Sequence, residues 1–566
     1  MASIENIARP VGPQAKYNTA RHSLGILRAV IVTCRYRIPV ISLRQRSLSI
    51  QDVIENALAT VVLGQPMLRV GIAGEDTKDP AFVHVKAIDM RGMIEWKALG
   101  TPASITSGTR QSEESRSEYG RKEQSQYNDE AGYEAGLLRS LEKHHEHLWE
   151  DLAVKPGWKI VVHHDPRQLG SLQPREPSHL GQAEEKADAL LSLDISFCFH
   201  HAYADGRSGY AFHADLQRAL NNGTRPPELQ DHILYFAKPS TLPPGMETLI
   251  PFSVSWSFIM QTVWTQLLYP IIVSSFLGRL LRLETTQADI PWTGAPVDGS
   301  NPRAHIRMMF KLDDESRLKA ILTQCRSHGT SLTGLLHALI ARSLARRERG
   351  KSFRSVTPIS LAGYADPGVA GPGFTPGATI HCLVTALTCD HDVGTVRRFD
   401  RDQVAEEAGI SEDAAVWAFA RDMTARLRAK AASLPRDDVL ALSGLVGDWH
   451  EFFRSKFGKA RDGSWELSNL GRLSAVDAGS YDNPELGNGM EEGKDGLWFI
   501  DRAVFTQGAN ATGAAFNVNV SGVAGRDVCA TISWQDGIVN ADLVEAVVSD
   551  LQAWIAELGE AGRSSD

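Results

Sequence analysis

The sequence has little of what several large classes of protein require. It has no concentrated run of lysine and arginine, and its formal net charge is −9, which disfavours nucleic-acid binding because phosphate contacts need a basic surface. Its six cysteines are scattered without CxxC or other metal-like spacing. The N-terminal stretch MASIENIARPVGPQAKY has no apolar core of the length that a secretory signal requires. These absences predict a reducing, cytoplasmic setting in which the thiols are small core residues.

The length predicts two lobes. At 566 residues, 43% hydrophobic and 22% charged, the chain is globular in composition and exceeds the length at which one hydrophobic core stops growing. We place an N-terminal lobe at 1–225, a crossover at 226–302 that contains an uncharged segment and a proline-rich stretch, and a C-terminal lobe at 303–566. Residues 103–130 are polar and almost free of aliphatic side chains, so we expect a mobile surface insertion there.

The segment 248–278 lacks charged residues altogether. Its length would suit a membrane span, but Gln261 and Pro270 interrupt it. Trp256 and Met260 recur at helical spacing with other apolar residues. The pattern favours an amphipathic helix buried against protein and leaves open a helix on a membrane or lipid-droplet surface.

Hydrophobic periodicity predicts a mixed α/β fold, with strands that do not strictly alternate with helices. In the first half, SLGILRAVIVTCRYRI and LDISFCF read as strands, and SIQDVIENALATVVL, EAGLLRSLEKHHEHLWEDLAV and Gly206–Asn221 as helices. In the second half, AHIRMMFKL, SWELSNLG, AAFNVNVSGV and VCATISWQDG read as strands, and a helix closes the chain.

The pattern His, three residues, Asp occurs twice. His147 and Asp151 lie in a predicted amphipathic helix with KHHEH facing solvent, and a metal site there is not favoured because adjacent helical positions diverge. His201 and Asp205 instead follow a predicted strand and precede a predicted helix, in FHHAYADGRSGYAFHADL. That position can hold a catalytic group rigidly beside a cleft. A turn histidine and a helix-capping aspartate would explain the same residues.

Two neighbours of this second match also have candidate roles. His200 and His201 are consecutive, so they point in different directions, and one can support the loop while the other faces a substrate. Gly206 permits a tight backbone path that a side chain would obstruct.

The stretch HHAYADG matches the HHxxxDG signature of the coenzyme A-dependent acyltransferase superfamily, which includes chloramphenicol acetyltransferase. The longer stretch, with ARPVGPQAKYNTARHSLG, HGTSLTGLLHALIA and WELSNLGRL, is most similar to fungal alcohol O-acetyltransferases. The chain lacks the DFGWG motif of the plant branch, and Leu361 and Ala362 stand where members often have an arginine. The resemblance implies the two-lobed chloramphenicol acetyltransferase-like α/β fold, with mixed sheets flanked by helices and an active-site tunnel between the lobes.

The same resemblance implies site residues. His201 would be the general base, and Asp205 would support the loop structurally, with Arg207 or Arg472 as candidate partners. Ser468 and Asn469, on the strand facing the site, are candidates to stabilise the oxyanion; a strand end followed by a turn is the other explanation of that stretch. No residue is assigned to binding coenzyme A, and no metal is implied.

The resemblance implies that the function is O-acylation: an acyl group, expected to be acetyl, passes from acyl-CoA to a hydroxyl of a small alcohol or natural product in secondary metabolism. Acetyl-CoA would be a cosubstrate, with no tightly bound cofactor, and the protein a cytoplasmic monomer, with peripheral membrane contact through 248–278 left open. Two alternatives remain: an N-acylating or condensation-type enzyme, and a non-catalytic scaffold or lipid-surface binder that has the fold.

Overall fold

Two β-sheets and the helices packed on them make up most of the described chain. The computed structural model describes residues 7–44, 48–99, 118–170, 190–263, 290–371, 373–399, 412–473 and 497–561. The strands are β1 (Ile7–Pro10), β2 (Val30–Pro39), β3 (Val70–Ala73), β4 (Ala81–His84), β5 (Ala87–Asp89), β6 (Ile94–Ala98), β7 (Trp158–His164), β8 (Leu190–Phe199), β9 (Leu229–Gln230), β10 (Ile233–Tyr235), β11 (Ala304–Leu312), β12 (Phe353–Ser360), β13 (Val384–His391), β14 (Gly463–Leu473), β15 (Phe499–Gln507), β16 (Ala514–Val523) and β17 (Val528–Gln535).

The α-helices lie mainly between these strands. They are α1 (Pro13–Ser23), α2 (Val40–Arg44), α3 (Ile50–Gly64), α4 (Glu118–His145), α5 (Pro166–Gly170), α6 (Gly206–Asn222), α7 (Met246–Leu249), α8 (Trp256–Val263), α9 (Glu315–Ser327), α10 (Leu332–Ala345), α11 (Pro367–Ala370), α12 (Val393–Arg397), α13 (Glu412–Ser433), α14 (Trp449–Arg454) and α15 (Ala541–Ala561).

The two large sheets share the chain in an interleaved way. The five-stranded sheet has the order β15-β2-β8-β7-β6, and the six-stranded sheet has the order β11-β17-β16-β14-β12-β13. Strand β15, from late in the chain, pairs antiparallel with β2, so the C-terminal half supplies an edge strand to the sheet of the N-terminal half. The division at 225 and 302 stays a prediction.

Each large sheet has its own hydrophobic core. In the first core, Phe197 of β8 stacks on Phe212 of α6, with ring centroids 4.0 Å apart. The second core contains Trp465 of β14, whose ring stacks on that of His391 with centroids 5.6 Å apart. The predicted mixed α/β class is confirmed, because long buried strands are covered by helices that bury one apolar face. All six cysteines are buried and unpaired, as expected of small core residues.

The predicted helix over EAGLLRSLEKHHEHLWEDLAV is wrong at its C-terminal end. Helix α4 ends at His145, and HLWED follows outside any helix. The expectation that KHHEH faces solvent is also wrong, since His144 and His145 are buried. The ring of His145 contacts the carbonyl of Ala29 and the hydroxyl of Thr506, and these buried partners outweigh the polarity of the stretch.

The uncharged segment also differs from expectation. In the polar insertion, residues 118–130 belong to α4 and 103–117 lie outside the described residues, so the mobility of the insertion stays a prediction. In the uncharged segment, Trp256 and Met260 are 80% and 62% exposed, so the described part of that helix does not bury this face against protein; 264–278 lie outside the described residues. Among the residues that the structure describes, no helix is long and apolar enough to span a bilayer.

Candidate active site

The loop 200–205 joins a buried strand to a helix. Strand β8 ends at Phe199 and α6 begins at Gly206. Asp205 is the N-cap of α6: its Oδ1 accepts hydrogen bonds from the amide of Ser208 at 2.8 Å and from its hydroxyl at 3.0 Å. The cap is of the type that satisfies the free amides of a first helical turn. The loop is therefore held rigidly at both ends.

The ring of His201 has one nitrogen committed to the backbone. Nδ1 lies 2.8 Å from the carbonyl oxygen of Ala204, and because a carbonyl only accepts, Nδ1 carries the proton. The neutral imidazole then has its lone pair on Nε2, for which the described residues offer no hydrogen-bond partner. His201 is half-buried, whereas Ala202, Tyr203 and Ala204 beside it are fully buried.

The surroundings of His201 keep it uncharged. Burial lowers its pKa, and the guanidinium of Arg21 lowers it further; the hydrogen bond to Ala204 and the charge of Asp205 oppose this in part. A neutral imidazole with a free nitrogen can accept a proton from a hydroxyl. The arrangement suits a general base.

The second carboxylate oxygen of Asp205 reaches the other half of the molecule. Oδ2 accepts a hydrogen bond from the amide of Leu383 at 2.9 Å. The hydroxyl of Ser208 also lies 2.7 Å from the carbonyl oxygen of His381, so its one proton is shared between this oxygen and Asp205. The contacts of Asp205 with these backbone groups do not require an arginine. Arg207, one candidate partner, donates to the carbonyl of Leu470, and the other, Arg472, is exposed.

Gly206 lies directly against the second sheet. A Cβ placed on Gly206 would lie 2.4 Å from Cδ2 of Leu470 on β14, which is closer than two non-bonded carbon atoms can approach. The glycine therefore allows close contact between the loop and β14, rather than an unusual backbone turn. This contact brings the strand WELSNLG opposite the HHxxxDG loop.

The two oxyanion candidates on β14 lie on opposite faces of the strand. Asn469 donates to the hydroxyl of Thr333 at 3.1 Å and accepts from the amide of Gly471 at 2.9 Å, so both polar atoms of its side chain have protein partners. Successive strand residues point to opposite faces, and Ser468 shares its face with Glu466. This geometry favours Ser468; the role of either residue stays a prediction.

Sequence comparisons match this chain to alcohol acetyltransferases. The alcohol acetyltransferase family model matches residues 181–355, which include the HHxxxDG stretch. The chain is 28% identical over 567 residues to the probable alcohol acetyltransferase FCK4 of Fusarium pseudograminearum, covering 98% of this chain and 96% of that protein. It is 24% identical over 418 residues to the probable alcohol acetyltransferase crmB of Aspergillus fumigatus, covering 72% of this chain and 73% of that protein.

The chain resembles the alcohol acetyltransferases, as its motifs predict. A solved structure shares the fold: TRI3 trichothecene 15-O-acetyltransferase from Fusarium sporotrichioides has a TM-score of 0.59 and 12% identity, over 97% of this chain and 95% of that chain. The predicted two-lobed chloramphenicol acetyltransferase-like fold is thereby confirmed. Together the matches support an acyltransferase enzyme.

Three residues of this alcohol acetyltransferase-like site were not identified from the sequence. Arg21 of α1 donates to Asn18 at 3.3 Å and to Asn510 at 2.8 Å. Asn18 in turn donates to the carbonyl of His201 at 3.4 Å, and Sγ of Cys382 lies 3.7 Å from its Nδ1. Arg21 and Asn18 lie in ARPVGPQAKYNTARHSLG, so that similarity was the available signal; nothing in the sequence marks Cys382.

A carboxyl group also faces the site from β14. Glu466 accepts a hydrogen bond from Gln507 of β15 at 2.8 Å, and burial raises its pKa, against the effects of Gln507 and Arg21. Glu466 is half-buried although β14 lies in the interior of its sheet between β16 and β12. Because Gln507 belongs to the five-stranded sheet, the side chain of Glu466 lies between the two sheets.

Proposed function

We propose that this chain is an O-acyltransferase that moves an acetyl group from acetyl-CoA to a hydroxyl of a small alcohol or natural product. The observation that carries the proposal is the 2.8 Å contact between Nδ1 of His201 and the carbonyl of Ala204, from which the tautomer of the ring follows. Its Nδ1 proton is committed to the carbonyl of Ala204, so Nε2 is the nitrogen that can take the proton of the acceptor. His201 would then be the catalytic residue.

The reaction balances with the residues of this chain and its two substrates. As Nε2 of His201 takes the hydroxyl proton, the acceptor oxygen attacks the carbonyl carbon of the thioester and forms a tetrahedral intermediate. Collapse of this intermediate breaks the carbon–sulfur bond. The coenzyme A thiolate leaves and takes the proton from the imidazolium, which returns His201 to its neutral form. No acyl group bound to the protein is needed.

Ser468 is the donor that we assign to the oxyanion. It lies on the face of β14 that Leu470 presents to Gly206, and a preorganised donor at this position contributes about 3 kcal/mol to stabilising the transition state. The Ser468→Ala variant should lower kcat about 100-fold. Asn469→Ala is the matched control and should keep kcat, because its side chain binds Thr333 and Gly471.

Asp205 is assigned a structural role. Its carboxylate accepts hydrogen bonds from the amides of Ser208 and Leu383 and from the hydroxyl of Ser208. These bonds fix the start of α6 and the loop that holds His201. Charge-assisted hydrogen bonds of this kind are stronger than neutral ones.

The test is transfer by the purified chain. Acetyl-CoA is incubated with a panel of alcohols, amines and a natural-product extract, the released thiol is measured with a colorimetric reagent, and the products are identified by mass spectrometry. An acetate ester is the expected product. Amide products in place of esters would favour the N-acylating alternative, and no transfer to any acceptor would favour a non-catalytic scaffold.

A further inference from the structure

A half-buried carboxylate outside the HHxxxDG stretch, that of Glu75, binds two buried histidines of the active-site region. Oε1 of Glu75 lies 2.7 Å from Nε2 of His200 and 2.8 Å from Nδ1 of His22. The side chains of His200 and His22 are 0% and 2% exposed. Glu75 follows β3, and His22 lies in α1, so three separate segments meet at one oxygen.

The opposite nitrogen of each ring decides what this cluster can do. The amide of Trp149 donates to Nε2 of His22 at 3.1 Å, and the amide of Ala202 donates to Nδ1 of His200 at 2.9 Å. A nitrogen that accepts an N–H carries no proton. Each neutral ring therefore has its proton on the nitrogen that faces Glu75, and both rings donate to the carboxylate.

This tautomer pattern disfavours a metal ion, although the ligand atoms of His22, Glu75 and His200 lie within 4.8 Å of one another. A metal needs the lone pair of the nitrogen that faces Glu75. The proton would then move to the far nitrogen, where a backbone N–H already points. In each ring, the protonated far nitrogen would then face the backbone N–H that now donates to it, and two donors repel each other. The backbone amides therefore stabilise the tautomers in which both rings donate to Glu75.

The charges agree with this geometry. Burial acts to raise the pKa of Glu75, but hydrogen bonds from His200 and His22 outweigh it and lower the pKa to about 2. Burial is the main cause that lowers the pKa of His22, to about 4, so His22 is a neutral donor. The carboxylate of Glu75 is therefore ionised, and its charge is shared between the N–H groups of His22 and His200.

The cluster is connected to His201 through the backbone. His200 begins the turn: its amide donates to Gly157 at 2.8 Å, and its carbonyl accepts from Tyr203 at 3.1 Å. The amide of Ala202, which the His200 ring binds, belongs to the peptide unit that directly follows His201. The orientation of the His200 ring therefore restrains the peptide from which His201 projects.

We propose that Glu75 and His22 are positioning residues for His201. They orient the His200 ring so that it holds the amide of Ala202, and thereby direct the ring of His201 toward the acceptor hydroxyl. This rests on the proposed function, in which His201 is the base. A displacement of about 1 Å at a reacting group can lower a rate by about 100-fold, so small rotations of this turn matter.

The test compares two replacements of Glu75. Glu75→Gln keeps an oxygen that accepts both N–H groups and should keep kcat within about 3-fold. Glu75→Leu removes the acceptor and should lower kcat about 10-fold or more, with the KM for acetyl-CoA little changed. Glu55→Leu is the matched control: Glu55 binds His232 at 2.8 Å in another part of the molecule, and its loss should affect stability without lowering kcat.

The outcomes separate this proposal from the proposed function. A wild type that transfers no acyl group overturns both. An active wild type with an equally active Glu75→Leu variant overturns the positioning role alone, as does a Glu75→Gln variant no better than Glu75→Leu. If Glu75→Leu does not fold, the wild-type protein still decides: NMR of the histidine nitrogens should show His22 protonated at Nδ1 and His200 at Nε2. The opposite tautomers, or a melting temperature raised by added zinc, would contradict the hydrogen-bonded cluster.

Discussion

The same four-residue spacing of histidine and aspartate occurs at two places in this chain, and the two places differ in the exposure and the contacts of these residues. Asp151 is exposed, has a left-handed φ of 55°, and pairs with Lys155 at 3.1 Å. The ring of His147 contacts Trp149, with centroids 4.9 Å apart. Asp205 is 6% exposed and its carboxylate accepts hydrogen bonds from both halves of the molecule.

The difference shows that the spacing alone carries little information. HLWED follows the end of a helix, where no strand fixes the histidine and no helix needs the aspartate as a cap. HAYAD lies between a buried strand and a helix that Asp205 caps. A strand and a helix flank the second pair, and the second sheet lies opposite it. These rigid elements can hold His201 and Asp205 in one geometry, as a catalytic site requires.

The largest expected effect comes from removing each histidine. His201→Ala should lower kcat about 100-fold or more, the range for the loss of a general base, whereas His147→Ala should leave kcat unchanged. Steady-state thiol release with the best acceptor measures both. Wild-type turnover in His201→Ala would remove the distinction between the two sites and with it the assignment of the base.

The aspartates should differ in stability. In Asp205→Asn an NH₂ group replaces one buried oxygen and faces a backbone N–H, which should lower the free energy of unfolding by about 2 kcal/mol. Asp151→Asn should have almost no effect, because asparagine tolerates the left-handed conformation and the position is exposed. Denaturant unfolding measures both changes. Lost activity with unchanged stability in Asp205→Asn would show that Asp205 does more than support the loop.

The glycine after Asp205 provides a smaller test of the contact with β14. Gly206→Ala places a Cβ against Leu470 and should lower the free energy of unfolding by about 1 kcal/mol. Gly64→Ala is the control, since a Cβ there meets no atom within 4 Å and alanine favours the helix. Equal melting temperatures for the two variants would contradict the close packing of the loop on β14.

The smallest expected effect is a shift in pH dependence. His201 must be neutral to act as a base, so activity should rise as the pH rises through its pKa, which burial and then Arg21 lower. Arg21→Met removes the second cause, and the acidic limb of kcat/KM should move to higher pH; Arg21→Lys keeps the charge and should move it less. An unchanged limb in Arg21→Met would show that burial alone keeps His201 neutral.

The sequence predicted much of the fold because its strands and helices have clear periodicity. Strands β2, β8 and β14, and helices α3 and α6, lie where the apolar pattern places them. Helix α4 was predicted too long, since the burial of His145 against Ala29 and Thr506 depends on distant residues. The exposed faces of Trp256 and Met260 were also not foreseen, because periodicity indicates an apolar face but not what covers it.

By itself the sequence determined the local chemistry of this protein: a strand, two histidines, a capping aspartate and a glycine in fixed order, with their similarity to the alcohol acetyltransferases. Local hydrogen bonds and periodic burial act over a few residues, so they can be read along the chain. Only the tertiary structure decided which residues meet around that loop, among them Arg21, Glu75, Cys382 and Glu466. Their contacts join positions up to hundreds of residues apart, and such contacts form only when the whole core packs.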